Sequence, residues 1–553
     1  MLKKILYSLA ALILIALTLV LARFWWDAVS DKYDVTIASE KIPLFSQVTL
    51  DFNHEYNGDK SLPLAPSALI DIDNDLVDEV FFGGGYGQDD ALFAFRNNAF
   101  VNITEEVGLA TKQTLSTTIG AVSADMDNNG FSDILIGRED GLYIYYNSEG
   151  KFNLQKINTP LNEKSTPAGI TVGDINKDGF LDIFLATYIK KGLMEGQTIF
   201  ERDDYGSTSE LLLNNGDHTF TSITQKAGLN YVHNTFQGVL VDIDNDSWLD
   251  LVVAYDTGEV RTYKNNGDLT FSMKDNPLTN KFAYPMGIAV GDYNNDGWVD
   301  FMFSNVGTTT PPIMAMGDIT DKSKYNDKWI LFRNEGNFRF TDTAEAAKIA
   351  GYEFSWGCTF ADMNNDGLQD LMVAENYVDF PFSKIFKLPG RLLLQKEDHT
   401  FVPTEKESGV VNKNYGIAPL VSDFNLDGHL DLIWTNISGS PLAYLNNGNG
   451  NNSVQVKLKD NAEGIGCKVT VETPSFTLTD WVITGEGLVS DQTKLLHFGL
   501  GQEQEISKIT ITYMNGNTEI ILNPKVNSVV DVHLEAQKRL LTLEQQDEIP
   551  EEI

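Results

Sequence analysis

Short apolar runs alternate with short acidic loops along most of the chain. Runs such as GITVGD, GVLVD and GIAVGD lead into the loops, and ILIG, IFLA, LVVA, FMFS, LMVA and LIWT follow them. Such short runs, rich in β-branched and aromatic residues, are typical of buried strands and are too short for helices. Each loop is therefore predicted to join two β-strands.

The loops share one nine-residue pattern, seen in clear form as DYNNDGWVD at 292–300. Acidic or amide side chains occupy positions 1, 3, 5 and 9, and glycine occupies position 6. The other six copies are DIDNDLVDE from Asp71, DMDNNGFSD from Asp125, DINKDGFLD from Asp174, DIDNDSWLD from Asp242, DMNNDGLQD from Asp362 and DFNLDGHLD from Asp423. Oxygen ligands at alternate positions of a tight loop, with glycine permitting the turn, are how a short peptide wraps a hard cation such as Ca²⁺.

Two interpretations of this pattern compete. An Asp-Asn-Gly stretch is a good turn former that needs no metal. An acid repeated at position 9 is not explained by turn propensity and favours up to seven structural Ca²⁺ sites. The predicted metal ligands are Asp71, Asp73, Asp75, Glu79, Asp125, Asp127, Asn129, Asp133, Asp174, Asn176, Asp178, Asp182, Asp242, Asp244, Asp246, Asp250, Asp292, Asn294, Asp296, Asp300, Asp362, Asn364, Asp366, Asp370, Asp423, Asn425, Asp427 and Asp431.

Three loops depart from the pattern and are predicted to bind more weakly. Leu76 and Ser247 stand where glycine is expected, Glu79 replaces aspartate at position 9, and Asn129 replaces an acid at position 5. An EF-hand would share the first positions but would continue into a helix with a glutamate at position 12. Strands follow the loops here, so the EF-hand is excluded.

The repeat predicts a β-propeller. Loop starts lie 49 to 70 residues apart, and a second marker such as LLLNNGDHTFTSIT or LFRNEGNFRFTDT follows each loop. The Asn-Gly or Gly-Asp pair in that marker indicates a hairpin, so one unit holds four antiparallel strands, as a propeller blade does. The last unit lacks its fourth strand, and FSQVT at 45–49 resembles the missing one. An N-terminal strand is therefore predicted to close the ring and hide its edges.

The predicted fold class is all-β: a seven-bladed β-propeller over residues 44–451, then a small β domain over 452–533, with one N-terminal apolar helix. Residues 1–27 are predicted to form a signal anchor or signal peptide, residues 28–43 a linker and residues 534–553 an acidic tail. Strand-like runs such as SVQVKLK, CKVTVETP and KITITYM define the C-terminal domain.

Two parts of the chain resemble known families. The repeated units over about 44–447 resemble the FG-GAP/VCBS repeats of integrin α-subunit propellers, although the Phe-Gly…Gly-Ala-Pro signature is poorly kept. The segments GIGCKVTV from Gly464 and GEGLVSDQTKLLHFGLG from Gly485 resemble the ASPIC/UnbV domain of the cartilage acidic protein-like family. Here Cys467 replaces a usual alanine, and YMNG at 513–516 replaces a Trp-Pro-Asp-Gly turn. The resemblance implies structural Ca²⁺ at the matching loop positions. His497 is expected to be a packed core histidine, with a catalytic role as the alternative.

The N-terminus predicts export. Lys3 and Lys4 precede an uncharged run from Ile5 to Ala22, and Trp25 and Trp26 follow. This is long enough for an uncleaved membrane anchor with its N-terminus inside, and a cleaved signal peptide is the alternative. In both cases the rest of the chain is expected outside the cytoplasm, in the periplasm, at the cell surface or secreted, where calcium is plentiful.

The net charge, the cysteines and the motifs of the sequence limit the classes of function to be considered. A formal net charge of -37 argues against a nucleic-acid partner. Cys358 and Cys467 lie in apolar runs, so two buried free thiols are expected, with one disulfide as the alternative. No nucleophile motif, phosphate loop or zinc spacing occurs. A binding, scaffold or adhesion-type module for a protein or glycan is expected, and a carbohydrate-active lyase or hydrolase is the alternative.

Three insertions, at about 188–209, 305–328 and 376–390, are predicted on the face opposite the loops. Long loops on one face of a repeat array often carry binding, so they are the predicted partner surface, unless they only cap the channel. Their aromatic and neighbouring residues are Tyr188, Phe200, Tyr205, Tyr325, Tyr377, Phe380, Phe382 and Phe386, together with Thr308 to Pro312.

Overall fold

A computed structural model describes residues 2–29, 32–109, 116–196, 198–200, 205–310, 312–378 and 387–533. It is an all-β protein with three α-helices in the described residues: α1 (Leu2–Val29), α2 (Thr224–Ala227) and α3 (Pro312–Ala315). Helix α1 agrees with the predicted N-terminal helix. None of the helices in the described part of the chain is long and apolar enough to cross a membrane.

Thirty of the strands lie before residue 447. They are β1 (Phe45–Val48), β2 (Ser67–Ile70), β3 (Glu79–Phe82), β4 (Ala91–Arg96), β5 (Ala99–Asn102), β6 (Thr118–Ala124), β7 (Asp133–Arg138), β8 (Gly141–Ser148), β9 (Lys151–Ile157), β10 (Ser165–Gly173), β11 (Asp182–Ile189), β12 (Ser207–Thr208), β13 (Glu210–Asn214), β14 (Phe220–Ser222), β15 (Val232–His233), β16 (Thr235–Val241), β17 (Asp250–Tyr255), β18 (Val260–Asn265), β19 (Phe271–Lys274), β20 (Ile288–Gly291), β21 (Asp300–Phe303), β22 (Ile330–Asn334), β23 (Phe340–Asp342), β24 (Ser355–Ala361), β25 (Asp370–Glu375), β26 (Arg391–Gln395), β27 (Phe401–Pro403), β28 (Gly416–Ser422), β29 (Asp431–Asn436) and β30 (Leu442–Asn446).

Twenty-eight of these strands form seven four-stranded antiparallel sheets, and β12 and β15 pair separately. Blades 1 and 2 are β2–β5 and β6–β9, blade 3 is β10, β11, β13 and β14, blade 4 is β16–β19, blade 5 is β20–β23, blade 6 is β24–β27, and blade 7 is β28–β30 with β1. The first strand of each blade contacts the first strand of the next, and β28 contacts β2. The sheets therefore close into a ring, and the propeller prediction is confirmed.

The N-terminal strand completes the last blade, as predicted. Strand β1 pairs antiparallel with β30, with Phe45 opposite Asn446 and Val48 opposite Ala443. The segment before it, predicted as a linker, is docked along blade 6: the Gly351 N–H donates to the Tyr33 hydroxyl at 2.7 Å, and Asn364 donates to the Lys41 carbonyl at 3.1 Å.

The inner strands are buried from end to end because neighbouring blades cover both of their faces. All seven residues of β6, β16 and β28 are buried, whereas outer strands such as β14 have exposed positions. This explains why the inner strands read as continuous apolar runs.

The C-terminal domain contains the strands β31 (Asn452–Lys457), β32 (Lys468–Glu472), β33 (Thr477–Trp481), β34 (Ser490–Asp491), β35 (Leu495–Gly501), β36 (Lys508–Thr512), β37 (Thr518–Leu522) and β38 (Val529–Asp531). The domain has two sheets, ordered β35-β31-β38 and β33-β32-β36-β37, and β34 pairs with β2 of blade 1. Its core is continuous with that of blades 2 and 3, since Val454, Ile465 and Val469 pack in one cluster with Val122 and Ile183. Both cysteines are free and buried, as expected.

Candidate metal-binding loops

Each acidic loop connects the first and second strands of a blade, so all seven lie on one face of the ring. We number them by blade: loop 1 (71–79), loop 2 (125–133), loop 3 (174–182), loop 4 (242–250), loop 5 (292–300), loop 6 (362–370) and loop 7 (423–431).

The aspartate at position 1 organises every loop. In loop 5, Asp292 Oδ1 accepts the Asp296 N–H at 2.8 Å and Asp292 Oδ2 accepts the Gly297 N–H at 2.7 Å. The same pair of bonds, from positions 5 and 6, occurs in the other six loops. All seven loops therefore share one backbone conformation.

The departures at position 6 do not change that conformation. Gly297 has φ 83°, and Leu76 and Ser247 have φ 75° and 68°, in the left-handed region that favours glycine. Loops 1 and 4 thus adopt the common shape with residues that are strained in it.

The acid at position 9 has a role in the fold that needs no ion. In loop 3, Asp182 Oδ2 accepts the Ile175 N–H at 3.1 Å, and Asp182 Oδ1 accepts the Asn214 N–H, on the third strand, at 2.9 Å. Loops 2, 4, 6 and 7 repeat both bonds, and loop 5 repeats the second. Position 9 therefore ties the loop to its blade, and an acid there is not by itself a sign of metal.

Carboxylate oxygens converge in three loops. Among the described residues, single oxygens of three acids lie within 4.8 Å of one another in loops 1, 2 and 4. The groups are Asp71, Asp73 and Asp75; Asp125, Asp127 and Asp133; and Asp242, Asp244 and Asp250. Glu79 and Asp246 stay outside the groups of their loops. In loops 3, 5, 6 and 7, an asparagine at position 3 offers an amide oxygen in place of a carboxylate.

The side chain of Asn129 makes hydrogen bonds within its own blade. Its side-chain amide donates to the Asn147 carbonyl at 2.8 Å, and its Oδ1 accepts the Phe131 N–H at 2.8 Å. Position 5 of loop 2 is therefore held in the hydrogen-bond network of its own blade.

The loops fit a hard cation. Asn294 Oδ1 and Asp300 Oδ2 of loop 5 are buried and have no hydrogen-bond donor. A buried acceptor without a donor is costly, and a cation coordinated by oxygen would satisfy it. Burial also raises the pKa of Asp133, Asp182 and Asp250 to about 8, because these carboxylates have lost water without gaining a positive partner. Ca²⁺, when bound, would supply that positive charge.

A second set of residues, missed in the sequence, joins loops 1 to 6 to the next blade. The side-chain amide of Asn334 on β22 donates to the carbonyl of Ile243 in loop 4 at 3.0 Å. The same bond to position 2 of the preceding loop is made by Asn147, Asn214, Asn265, Gln395 and Asn446. In the sequence, the first asparagine of the Asn-Asn-Gly hairpin marker is the residue that makes this bond, but the marker by itself indicates only a hairpin.

The C-terminal domain covers the loop face. Its Lys468 Nζ donates to the Gly297 carbonyl of loop 5 at 2.6 Å, His497 Nε2 lies 2.7 Å from Asn365 Oδ1 of loop 6, and Gln455 donates to Asp423 Oδ2 of loop 7 at 3.1 Å. His497 is therefore a packing residue of this interface.

One segment of that domain, residues 484–494, enters the channel and contacts the first strand of all seven blades. We call it the plug. Ser490 and Asp491 pair with β2, Asp491 accepts the Ser123 N–H of β6, and Thr484 accepts the Val172 N–H of β10. The plug then reaches β16, β20, β24 and β28 through Gln237, Ile288, Thr359 and Val421.

The insertions cap the channel from the other face. Tyr188, Tyr205 and Tyr377 are 3%, 5% and 3% exposed, so these aromatic side chains are unavailable to a partner, and their predicted role as a binding surface is wrong. They are buried because the channel needs apolar filling. Ile199 and Met316, for example, pack in one cluster with Leu488 and Val489 of the plug. Phe200 and Tyr325 pack against that cluster, whereas Pro311, Phe380, Phe382 and Phe386 lie outside the described residues.

Family models match both parts of the chain. The FG-GAP-like repeat matches residues 125–185, 242–303 and 319–373, which contain loops 2 to 6, and ASPIC and UnbV matches residues 457–539. The chain carries FG-GAP-like repeats and an ASPIC and UnbV domain. Loops 1 and 7 lie outside the matched spans and keep the common loop conformation.

Two relatives are similar over most of their length. Cartilage acidic protein 1 of Xenopus tropicalis is 24% identical over 540 residues, covering 90% of this chain and 77% of that protein. The Homo sapiens protein of the same name is 24% identical over 528 residues, covering 89% and 75%. Both similarities extend across the repeats and the C-terminal domain.

Among solved structures, Saccharomyces cerevisiae Sqt1 is similar with a TM-score of 0.41 and 9% identity, covering 74% of this chain and 99% of that chain. YCF48 bound to D1 peptide is similar with a TM-score of 0.38 and 11% identity, covering 74% and 99%. These likenesses are loose, and the propeller assignment comes from the strand order.

Proposed function

We propose that this protein is an exported, calcium-stabilised propeller that acts as a binding or scaffold module for a protein or glycan partner. The observation that carries this proposal is the filled channel. Small-molecule and catalytic sites favour deep concave pockets, and the channel is such a place in a propeller. Here it is occupied by the plug from one side and by the insertions from the other. This favours binding at the surface over catalysis in the channel.

The face that carries the insertions is the best candidate for the partner, because the C-terminal domain covers the other face. On the insertion face, the apolar side chains of the insertions point into the channel, and the exposed side chains are mainly polar. In the insertion at 305–328, Asp318, Lys322 and Ser323 are exposed, and in the insertion at 188–209, Leu193 is 47% exposed. A polar surface with an isolated apolar side chain suits a reversible protein or glycan contact.

The proposed calcium binding and the proposed export are consistent with each other. The converging oxygens of the loops and their orphaned acceptors suit Ca²⁺, and loop sites of this kind fill where calcium is abundant, outside the cytoplasm. The two lysines and the uncharged run at the N-terminus are typical of an export signal or anchor.

The test is capture of partners by the full chain, with calcium or with a chelator, followed by a glycan array. We expect Leu193→Asp to reduce binding of the captured partner. Met273→Asp, at a 42% exposed side chain on the outer strand of blade 4, is the matched control and should leave binding intact. Equal binding by both variants would reject the insertion face. Turnover in a polysaccharide screen would instead favour the lyase or hydrolase alternative.

A further inference from the structure

Loop 4 differs from the other loops because the ammonium group of a strand lysine contacts two of its carboxylates. Lys264, on the third strand of blade 4, directs its ammonium group to the carboxylates at positions 3 and 5: it pairs with Asp244 and lies 2.5 Å from Asp246 Oδ2. In the described part of the chain, the other ion pair between a basic side chain and a predicted ligand is Lys41 with Asp366, at 3.8 Å. Loop 4 is thus the loop with a protein cation in direct contact with two of its predicted ligands.

The position of Lys264 explains this contact. It directly precedes Asn265, whose N–H donates to Asp250 Oδ1 of the same loop at 2.8 Å. The residues that precede the corresponding third-strand position are Tyr146, Leu213, Arg333, Leu394 and Leu445 in blades 2, 3, 5, 6 and 7. Arg333, the basic residue among them, is engaged elsewhere: its Nη2 donates to Glu335 Oε1 at 2.8 Å.

The contact is well protected from water. The side chains of Lys264 and Asp244 are 24% and 11% exposed, so the pair is less screened than a surface ion pair. A calcium ion that used Asp244 and Asp246 would have to displace the ammonium group and break both ion pairs. Because the lysine is tethered beside the loop, its effective concentration there is high.

We propose that Lys264 is the resident cation of loop 4, so that this loop keeps its shape without a divalent ion while the other loops use calcium. This inference rests on the calcium binding proposed above and assigns it loop by loop. Removing the ammonium group would leave Asp244 and Asp246 without their ion-pair partner, in a loop whose four aspartates are the composition that binds Ca²⁺ tightly.

The test is the number of Ca²⁺ ions bound per full-length chain, measured by equilibrium dialysis with elemental analysis. We expect Lys264→Met to bind one more ion than the unaltered protein. Lys264→Arg keeps the positive charge, and Arg333→Met removes the basic residue at the corresponding position of blade 5. Neither should change the number.

Thermal unfolding gives a second measurement. In chelator, Lys264→Met should unfold at a lower temperature than the unaltered protein, and excess calcium should remove the difference. Terbium emission sensitised by Trp248, at position 7 of loop 4, locates the new ion. It should rise in Lys264→Met and not in Lys264→Met with Trp248→Phe.

Three outcomes would overturn the inference. One is an unchanged ion count in Lys264→Met. Another is a stability loss that calcium does not restore. The third is a sensitised terbium signal in the unaltered protein that Trp248→Phe lowers, since loop 4 would then already be filled. The signal from loop 5, where Trp298 stands at position 7, remains in every variant. Absence of calcium binding in the unaltered protein would instead reject the proposed calcium role itself, and this inference with it.

Discussion

The Asn265 main-chain N–H donates to Asp250 Oδ1 at 2.8 Å, while the side-chain amide of the same asparagine donates to the Ile175 carbonyl, in the loop of the preceding blade, at 3.0 Å. One residue thus joins its own loop to its neighbour's. Repetition of this arrangement around the ring gives the blades a common set of polar contacts in addition to their apolar packing.

We predict that Asn265→Ala destabilises the propeller by about 2–4 kcal/mol, because it removes two donors from the buried carbonyls of Ile175 and Leu249. Its neighbour Asn266 is exposed, and its amide bonds Thr270. Asn266→Ala should change stability by no more than about 0.5 kcal/mol. Urea denaturation followed by tryptophan fluorescence measures both, and equal midpoints would contradict the inter-blade role.

The sequence predicted the repeated elements because their signals are local. Loop spacing, strand composition and the hairpin marker each occupy a few residues, and the pairing of Phe45 with Asn446 followed from the missing strand of the last unit. The docking of the C-terminal domain had no such signal, since it joins residues hundreds of positions apart. The GEG stretch at 485–487 is a weak sign of this docking, because a Cβ on Gly485 would lie 2.3 Å from the Ile170 carbonyl oxygen.

The aromatic residues of the insertions show the opposite case. Tyr188 and Tyr205 were predicted at a partner surface because long polar loops with aromatic residues are typical of binding sites. A closed ring leaves an apolar channel, and filling it stabilises these side chains more than exposure does. The alternative, that the insertions only cap the channel, was therefore correct, but the local pattern did not distinguish a loop that fills the channel from one that faces a partner.

The variant Asn294→Leu tests whether Asn294 is a metal ligand of loop 5 or only a structural residue of that loop. Asn294 Oδ1 is a buried acceptor without a donor in loop 5, and leucine has a similar size. In excess chelator, we expect the unfolding temperature to stay within about 2 °C of the unaltered protein, because Oδ1 accepts no bond and the bond that is lost, from the Asn294 amide to Asp296 Oδ2 at 2.8 Å, is exposed to water. In calcium, the variant should gain less stability than the unaltered protein. Equal gains on adding calcium would show that loop 5 binds no ion through this oxygen.

We predict that the free energy of unfolding depends on pH through Glu486. It is 7% exposed in the channel, and burial raises its pKa to about 8. The folded state therefore holds a proton that the unfolded state releases near pH 4.5, and the stability from this group is lost as pH rises from about 4.5 to 8, by at most about 1.4 kcal/mol per pH unit. Glu486→Gln keeps the acceptor for Thr359, 2.8 Å away, and removes the titration.

Unfolding temperatures between pH 5 and 8, in excess calcium so that the loops stay charged, measure this effect. The unaltered protein should lose more stability than Glu486→Gln across that range. Glu472→Gln, at a half-exposed side chain paired with Lys508, is the control and should follow the unaltered protein. Parallel curves for all three proteins would remove Glu486 as the source.

The plug should make the propeller and the C-terminal domain one cooperative unit. Leu488 is fully buried among channel residues contributed by several blades, although it belongs to the C-terminal domain. We expect Leu488→Ala to cost about 2–5 kcal/mol, because the rigid ring cannot close around the cavity, and to lower a single calorimetric transition. Leu522→Ala, at a 68% exposed leucine of the same domain, should leave that transition unchanged. If the C-terminal domain were docked only at its surface, Leu488→Ala would split the transition in two or leave the propeller's midpoint where it was. A single lowered transition therefore distinguishes a plug that helps to hold the ring from a domain that merely rests on it.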